Sequence, residues 1–369
     1  MSTMEILRRV ADALTSPSAG APVGCVLGVD LDGVRAVVAT GVASPATSEM
    51  PDAAMRRETV HDLASVSKVV GTTTALHRLV TDGQLDLDTP IIRFLPTFGG
   101  APESTVRDLL VHRAGLWEWQ PIYLAPDAAD DPFAVVDALP LRYPPGRERH
   151  YSDLGFITLG RVVAAASGAP LDTAIRELVA DPLGLDVLGY GPVRGDVATS
   201  ARDDGVERRM VATGEPYPVQ WTGDGFEWRT DPIRGVANDG NCFHAFGGVA
   251  GHAGLFAPLD ELLDLASALS RADDDPALWN PRVTAEFFAP GPDLEQALGW
   301  RRSEVVVGDE RMPLLWHPGF TGTAVGFMPG RGVAVALAAN RLLAAEPQPT
   351  ADLWQRALDA LPSIISAQE

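Results

Sequence analysis

The stretch Asp62–Gly71 reads DLASVSKVVG and places a serine and a lysine three positions apart, at Ser65 and Lys68. Lys68 is the only lysine of the chain, and every other residue in the Lys+Arg total of 29 is an arginine. A desolvated lysine can lose its proton near neutral pH, whereas an arginine effectively cannot. The retention of this one lysine indicates a position that requires a side chain able to act as a base.

Apolar residues recur at helical spacing from Val66 to about Val80, and this pattern predicts a helix. Ser65 then lies in the first turn, with Lys68 one turn later on the same face. Free backbone N–H groups at a helix start favour developing negative charge and disfavour a charged lysine. This arrangement is typical of an activated nucleophile. An ordinary helix start with a surface lysine is the alternative, because Ser-x-x-Lys alone is a weak pattern.

Two later segments offer further candidate groups. Tyr151-Ser152-Asp153 directly precedes a predicted helix, and a phenol in a positive field can act as a base. The alternative is a buried aromatic residue followed by a helix cap. His317-Pro318-Gly319 lies between two strand-like runs, where a glycine lets a ligand approach backbone N–H groups. The alternative there is a plain turn with a surface histidine.

Taken together, these motifs resemble those of the serine β-lactamase / penicillin-binding-protein superfamily, and they look most similar to class C β-lactamases and family VIII carboxylesterases. The motifs are Ser65-x-x-Lys68, Tyr151-x-Asp153 and His317-x-Gly319, in that order. The resemblance extends from about Val23 to Asn340. It implies an α+β fold (an α/β sandwich), in which an antiparallel sheet is flanked by helices and joined by a mainly helical lobe.

The distribution of strand signals agrees with that fold. The runs 23–31 and 34–42 flank Asp32-Gly33 and predict a hairpin, and the end of the chain is β-rich again. We therefore expect one domain over 1–369, with an α/β lobe from about 1–101 and 281–369 and a mainly helical lobe over about 102–280. The long Gly-, Trp- and Asp-rich region 210–254 has little periodicity, and such loops are usually functional.

The resemblance also implies roles for individual residues. Ser65 would be the acylated nucleophile, and Lys68 and Tyr151 would form its base network, with Tyr151 passing a proton to the leaving group. The backbone N–H groups of Ser65 and Phe320 would form the oxyanion hole. Supporting or substrate-binding roles are expected for Asp153, His317, Gly319, His252 and Trp117.

Two departures from the superfamily pattern affect substrate recognition. Asp153 replaces the usual asparagine, and a carboxylate cannot donate a hydrogen bond to a substrate carbonyl. Its charge would also favour a protonated Lys68, which would leave more of the base role to Tyr151. His317-Pro318-Gly319 replaces the usual Lys-Thr-Gly or Lys-Ser-Gly, so the cation and hydroxyl that recognise a substrate carboxylate are missing. Both changes weaken recognition of a carboxylate-bearing amide and leave ester chemistry possible.

Composition limits the possible partners. The 369 residues carry a formal net charge of −20, which argues against nucleic acid and anionic membranes as partners. No apolar run reaches the length of a membrane span, and two distant cysteines do not form a disulfide framework. We expect a cytoplasmic protein that acts on a small-molecule acyl ester or amide, with no cofactor and no metal. The sequence leaves the oligomeric state open.

The sequence therefore favours a serine hydrolase that works through a Ser65 acyl-enzyme, as a carboxylesterase on small or medium acyl esters. One alternative is an acyltransferase on the same scaffold, in which another acceptor replaces water. A second alternative is a β-lactamase or D,D-peptidase. A third, from a different class, is a non-catalytic binding module.

Overall fold

The computed structural model describes residues 1–47 and 51–367. Its α-helices are α1 (Thr3–Leu14), α2 (Thr74–Thr81), α3 (Val106–Leu110), α4 (Pro132–Ala138), α5 (Asp153–Ser167), α6 (Leu171–Ile175), α7 (Asp181–Leu183), α8 (Gly205–Thr213), α9 (Leu259–Ser270), α10 (Pro281–Phe288) and α11 (Thr350–Ser366). Shorter 3-10 helices lie at Ala64–Val66, Ile91–Arg93, Ile122–Leu124 and Ala272–Asp274, and π-helices lie at Lys68–Thr73, Arg176–Ala180 and Asn241–Ala245.

The strands are β1 (Gly24–Leu31), β2 (Val34–Ser44), β3 (Ala53–Ala54), β4 (Val60–Asp62), β5 (Gly189–Tyr190), β6 (Thr199–Ala201), β7 (Ile233–Arg234), β8 (Leu255–Pro258), β9 (Arg301–Val307), β10 (Glu310–Pro318), β11 (Ala324–Met328) and β12 (Val333–Ala339). Seven of them form one sheet in the order β3-β2-β1-β12-β11-β10-β9, and every neighbouring pair is antiparallel. The predicted hairpin is confirmed as β1–β2, and Asp32 and Gly33 both have positive φ, as this tight turn requires.

Helices cover both faces of the large sheet. Helices α1 and α11 pack together on one face, where Leu7, Leu14 and Trp354 belong to one apolar core. Helix α9 packs on the other face against β1, β11 and β12. Every residue of β1 and β12 is buried because both strands lie between two helical layers. The predicted antiparallel sheet flanked by helices is therefore confirmed.

The helix expected over residues 66–80 consists of three different segments. A 3-10 turn at Ala64–Val66 leads into the π-helix Lys68–Thr73, and only α2 is α-helical. All six residues of the π-helix are buried. The wider π-helical turn is a feature that apolar spacing does not distinguish from an α-helix, and such turns occur frequently at functional sites.

Strands from the two ends of the chain share one sheet, because β1 pairs with β12 over seven residue pairs. The lobe boundaries stay predictions, and residues 48–50 and 368–369 lie outside the described residues. In the part of the chain that the structure describes, no single helix is long and apolar enough to cross a membrane. The bent pair Asp153–Ser167 and Leu171–Leu183, at 78°, meets that criterion only by combined length and composition.

Candidate active site

The backbone just before Ser65 is strained and tightly held. Ala64 has φ of +45°, which is uncommon for a residue that carries a Cβ. The Ala64 N–H donates to Asp62 Oδ1 at 2.8 Å, so a buried carboxylate fixes this conformation. A strained backbone conformation persists only where the surrounding structure holds it in place, and such conformations are concentrated at functional sites.

The Lys68 side chain is fully buried and contacts three oxygen atoms. Its Nζ lies 2.8 Å from Ser65 Oγ, 2.7 Å from Asp153 Oδ1 and 3.2 Å from the carbonyl oxygen of His252. A lysine ammonium has N–H donors and no acceptor. The contacts with Ser65 and His252 are hydrogen bonds, and the contact with Asp153 is an ion pair. The site therefore suits the protonated form of Lys68.

The electrostatics favour the same state. Burial by itself would lower the pKa of Lys68, but the negative charge of Asp153 and the interactions with Tyr151 outweigh burial and raise that pKa above its ordinary value. A charged Lys68 orients Ser65 and supplies positive charge, whereas removal of the serine proton falls to another group. The structure thus supports the expectation that Asp153 keeps Lys68 protonated.

Tyr151 lies beside the Ser65–Lys68 pair and lines the same pocket as Ser65. Its ring centroid is 5.0 Å from Lys68 Nζ. Burial raises the pKa of Tyr151, and the Lys68 charge partly offsets this effect. The backbone after it is held by the buried His112, whose Nδ1 accepts the Ser152 N–H at 3.1 Å. Tyr151 is thus a neutral hydroxyl beside the Ser65–Lys68 pair, and ionisation would make it a base.

His317 is the second-last residue of strand β10 and is almost fully buried. Its Nδ1 lies 2.9 Å from the carbonyl oxygen of Pro318, and a carbonyl only accepts, so Nδ1 carries the hydrogen. Burial, followed by the charges of Lys68 and Arg301, holds the pKa of His317 well below its ordinary range. His317 is therefore neutral, with an unprotonated Nε2, and does not replace the cationic lysine of the superfamily.

The turn after His317 packs directly against the chain that precedes Ser65. Thr323 Oγ1 donates to the carbonyl oxygen of Leu63 at 3.0 Å. A Cβ on Gly319 would lie 2.3 Å from Thr323 Oγ1 and 2.5 Å from the Leu63 oxygen, so only glycine fits there. This packing brings Phe320 and Ser65, whose N–H groups are the expected oxyanion donors, to one pocket.

A pocket of about 470 Å³ contains six of the sequence-predicted residues: Ser65, Tyr151, Asp153, His317, Gly319 and Phe320. Lys68 lies beneath it in contact with Ser65. Two predicted residues lie outside the lining. His252 approaches through its backbone oxygen, and Trp117 donates from its indole N–H to the Pro140 oxygen at 2.9 Å and stacks on Arg142. Their predicted supporting roles stay predictions.

Arg301 is a pocket residue that the sequence analysis missed. It opens β9, opposite Trp316 of β10, and its guanidinium carbon lies 6.0 Å from the Tyr151 ring and 5.5 Å from the Trp316 ring. Its buried Nε has no hydrogen-bond partner, and no carboxylate of the described residues forms an ion pair with it. The sequence offers little indication of Arg301, because it is one of many arginines and belongs to no motif. Its position next to the strand that carries His317 follows only from the strand register.

Asp239 and Tyr217 also line the pocket and were not singled out. Both lie within the region 210–254, whose length and irregularity predicted a functional loop without identifying residues. Asp239 Oδ1 accepts hydrogen bonds from His252 Nε2 at 2.9 Å and from the Cys242 N–H at 2.8 Å. Residues 1–47 and 51–367 contain no group of three or more His, Cys, Asp or Glu that could hold a metal ion.

Comparison with known proteins identifies relatives over most of the chain. The Beta-lactamase family model matches residues 16–360. The N-acetylmuramyl-L-alanine amidase of Bacillus subtilis (strain 168) is 29% identical over 317 residues, which cover 78% of this chain and 69% of the amidase. A putative D-alanyl-D-alanine carboxypeptidase of Escherichia coli (strain K12) is 27% identical over 327 residues, which cover 80% of this chain and 73% of that protein.

A solved structure agrees with the fold. EstCE1, described as a hydrolase with promiscuous acyltransferase activity, superposes with a TM-score of 0.70 and 22% identity, and the match covers 98% of each chain. At this level of identity the likeness concerns the fold alone.

Proposed function

Since the chain belongs to the beta-lactamase family and is a serine hydrolase of the β-lactamase and penicillin-binding-protein type, we propose that it is a carboxylesterase that forms an acyl-enzyme on Ser65. The observation that carries the proposal is the 2.8 Å contact between Ser65 Oγ, which lines the pocket, and the Nζ of the buried Lys68 beneath it. The proposal that the substrate is an ester rests on the groups around Ser65 and Lys68.

In the proposed reaction the active form of the enzyme holds Tyr151 as a phenolate. Ser65 Oγ attacks the ester carbonyl, and its proton passes to that phenolate oxygen. The developing oxyanion is stabilised by the backbone N–H groups of Ser65 and Phe320. Tyr151 then returns the proton to the departing alcohol, and water repeats the sequence on the acyl-enzyme. Lys68 stays protonated, orients Ser65 and lowers the energy of the Tyr151 phenolate.

Three features support an ester over an amide as the substrate. Asp153 cannot donate a hydrogen bond to an amide carbonyl of the substrate. Its ion pair holds Lys68 in the protonated state, which leaves a single weak base. The neutral His317 supplies no cation beside the strand edge. An ester has a better leaving group than an amide and therefore needs less assistance from a base or acid.

The test is hydrolysis of p-nitrophenyl acetate and butyrate by the wild type and the variants Ser65→Ala and Lys68→Arg. We expect the wild type to turn over both esters. Each variant should lose at least about 1000-fold of this activity, because alanine lacks the nucleophile and arginine lacks the compact ammonium. Intact-mass measurement should detect an acylated wild-type protein and no acylated Ser65→Ala protein. An inactive wild type without an acylated form would overturn the proposal.

Arg301 favours a second candidate function, that of a carboxypeptidase. An unpaired guanidinium inside the pocket fits a substrate carboxylate, such as the terminus of a peptide. The Escherichia coli relative is a putative D-alanyl-D-alanine carboxypeptidase. Release of D-alanine from a D-alanyl-D-alanine peptide by the wild type, abolished in Arg301→Gln, would favour this function over the esterase.

A further inference from the structure

The pocket contains a carboxylate that the acyl-transfer steps do not use. Asp239 lines the pocket together with Ser65, and its side chain keeps 19% of its surface exposed. The other pocket carboxylate of the described residues, Asp153, is neutralised by Lys68 at 2.7 Å. Asp239 has no lysine or arginine partner among residues 1–47 and 51–367. Its partner there is His252, whose Nε2 lies 2.9 Å from Oδ1, and the remaining carboxylate oxygen belongs to the pocket surface.

The position of Asp239 is fixed from several directions. Its Oδ1 takes both of its protein hydrogen bonds, from His252 Nε2 and from the Cys242 N–H. The N–H of the preceding Asn238 donates to Asp62 Oδ2 at 2.6 Å, and the other oxygen of Asp62 holds Ala64. Asp239 is thus tied through one carboxylate to the backbone beside the nucleophile. Within the described residues no protein group donates to its Oδ2, which leaves that oxygen for a ligand.

Neighbouring groups keep the negative charge on Asp239. Glu207 lies behind it and accepts hydrogen bonds from the Gly240 N–H at 2.6 Å and from the Tyr123 hydroxyl at 2.8 Å. Burial, followed by the charge of Asp239, raises the pKa of Glu207. Burial would also raise the pKa of Asp239, but the interactions with His252 outweigh it and lower that pKa. Of this carboxyl pair, Asp239 is the ionised member and Glu207 the protonated one.

The pocket that Asp239 lines also contains aromatic side chains. Trp119 and Tyr217 line the same pocket and add aromatic surface. Aromatic faces attract ammonium groups, most strongly where water is partly excluded. A fixed carboxylate with one oxygen free of protein donors, in a pocket with aromatic walls, suits an ammonium better than an apolar chain.

The two charged ends of the pocket belong to different clusters. Arg301 lies over the Tyr151 ring and near Tyr217, on the side where Tyr151 would protonate the leaving group. Asp239 belongs to the cluster around His252, whose carbonyl oxygen accepts from Lys68. Arg301 and Asp239 thus place a cation and a carboxylate in one pocket, each in its own cluster of contacts.

We propose that Asp239 binds a free ammonium group on the acyl part of the substrate, so that the preferred substrates are esters of amino acids with an unblocked amine. This inference rests on the proposed acyl-enzyme function and specifies its substrate class. The ammonium would donate to Asp239 Oδ2, while the ester carbonyl occupies the oxyanion hole formed by Ser65 and Phe320.

The experiment compares alanine methyl ester, in both enantiomers, with methyl propionate, which has the same skeleton without the amine. Methanol release is measured at about pH 6.5, below the ordinary pKa of an α-amino group. We expect the wild type to prefer at least one enantiomer of the amino ester by more than about 10-fold in kcat/KM. In Asp239→Asn that preference ratio should fall by more than about 10-fold, because the amide keeps the shape and loses the charge.

Two controls separate charge recognition from structural damage. Asp224→Asn removes one exposed carboxylate from the same region and should leave the preference ratio within about twofold, because exposed charges in water interact weakly. Alanine amide should inhibit p-nitrophenyl acetate turnover competitively in the wild type and at least about 10-fold more weakly in Asp239→Asn. This second measurement does not require any amino ester to be cleaved.

The outcomes distinguish the two proposals. Turnover of p-nitrophenyl acetate without any preference for the amino ester, or a preference that Asp239→Asn retains, overturns the ammonium site and leaves the esterase intact. Absence of turnover on every ester, with no acylation of Ser65, overturns the proposed function itself.

Discussion

At the scale of single residues, the substitution of Asp153 for the usual asparagine changes how the base is organised. A carboxylate 2.7 Å from a fully buried lysine stabilises the ammonium form, and the pKa of Lys68 is raised as a result. Lys68 then acts by orientation and charge, and the proton of Ser65 passes to Tyr151. Because the coupled Lys68–Tyr151 network must lose a proton to act as a base, kcat/KM for ester hydrolysis should increase toward alkaline pH.

The variant Asp153→Asn tests this assignment. Removal of the carboxylate leaves burial as the main influence on Lys68, so its pKa should fall and the alkaline rise in kcat/KM should move to lower pH by at least about one unit. The profile is measured with p-nitrophenyl acetate and describes the coupled Lys68–Tyr151 pair. The Asp224→Asn variant, which lacks an exposed carboxylate, serves as the control, and a profile that does not move in Asp153→Asn contradicts the assignment.

At the scale of elements, the helical segments that carry the site depend on a contact between α2 and α10. His77 of α2 is buried, stacks on Phe287 with ring centroids 4.5 Å apart, and shares a hydrogen bond with Thr284 Oγ1 at 3.0 Å. Burial lowers the pKa of His77 to about 3. The folded state therefore holds the neutral ring in the range where the unfolded chain would protonate it.

This contact predicts a stability change with pH of known sign. A depressed folded pKa gives stability that is complete above the unfolded value of about 6.5 and is lost as pH falls toward the folded value. Between about pH 6 and about pH 4, the unfolding free energy of the wild type should fall more steeply than that of His77→Gln, by about 1.4 kcal/mol per pH unit.

Urea denaturation at several pH values measures both slopes. The comparison uses the difference in slope, so a constant loss of stability from altered packing in the variant does not affect it. Parallel slopes for the two proteins would contradict the assignment of a buried neutral imidazole to His77.

At the scale of the whole molecule, hydrogen bonds of the Asn340 side chain connect the two ends of the chain, in addition to the pairing of β1 with β12. Asn340, just after β12, accepts the Gly24 N–H at 2.9 Å and donates to the carbonyl oxygens of Val42 and Ala43 at 2.8 and 3.1 Å. These groups lie next to the start of β1 and the end of β2. The next residue, Arg341, lines the pocket, so this junction also borders the active site.

Asn340→Ala should lower the unfolding free energy by about 3 kcal/mol, because several buried polar groups lose their partner. Asn340→Asp retains the acceptor for the Gly24 N–H but sets a carboxylate oxygen against the Val42 and Ala43 carbonyl oxygens, so its loss of unfolding free energy should be at least as large as that of the alanine variant. Denaturant unfolding followed by tryptophan fluorescence gives both values. A change in unfolding free energy below about 0.5 kcal/mol in Asn340→Ala would contradict a stabilising role for these hydrogen bonds.

The sequence by itself determined the features that depend on local spacing. Ser65 and Lys68 share a helical face because they are three residues apart, and the hairpin follows from Asp32-Gly33 between two β-rich runs. The order of the three motifs indicated the superfamily, and the family match and the antiparallel sheet agree with it. These properties are encoded in short stretches, so they can be predicted without coordinates.

Only the tertiary structure decided the charge states and the shape of the pocket. Lys68 contacts the carbonyl oxygen of His252, which is 184 positions away in the sequence. Asp153, at the start of another helix, forms an ion pair with Lys68. Arg301 and Asp239 gain their significance from what is near them, an unpaired guanidinium over Tyr151 and a carboxylate beside Ser65. Burial and electrostatic interaction depend on distance in space, and no local pattern along the chain specifies that distance.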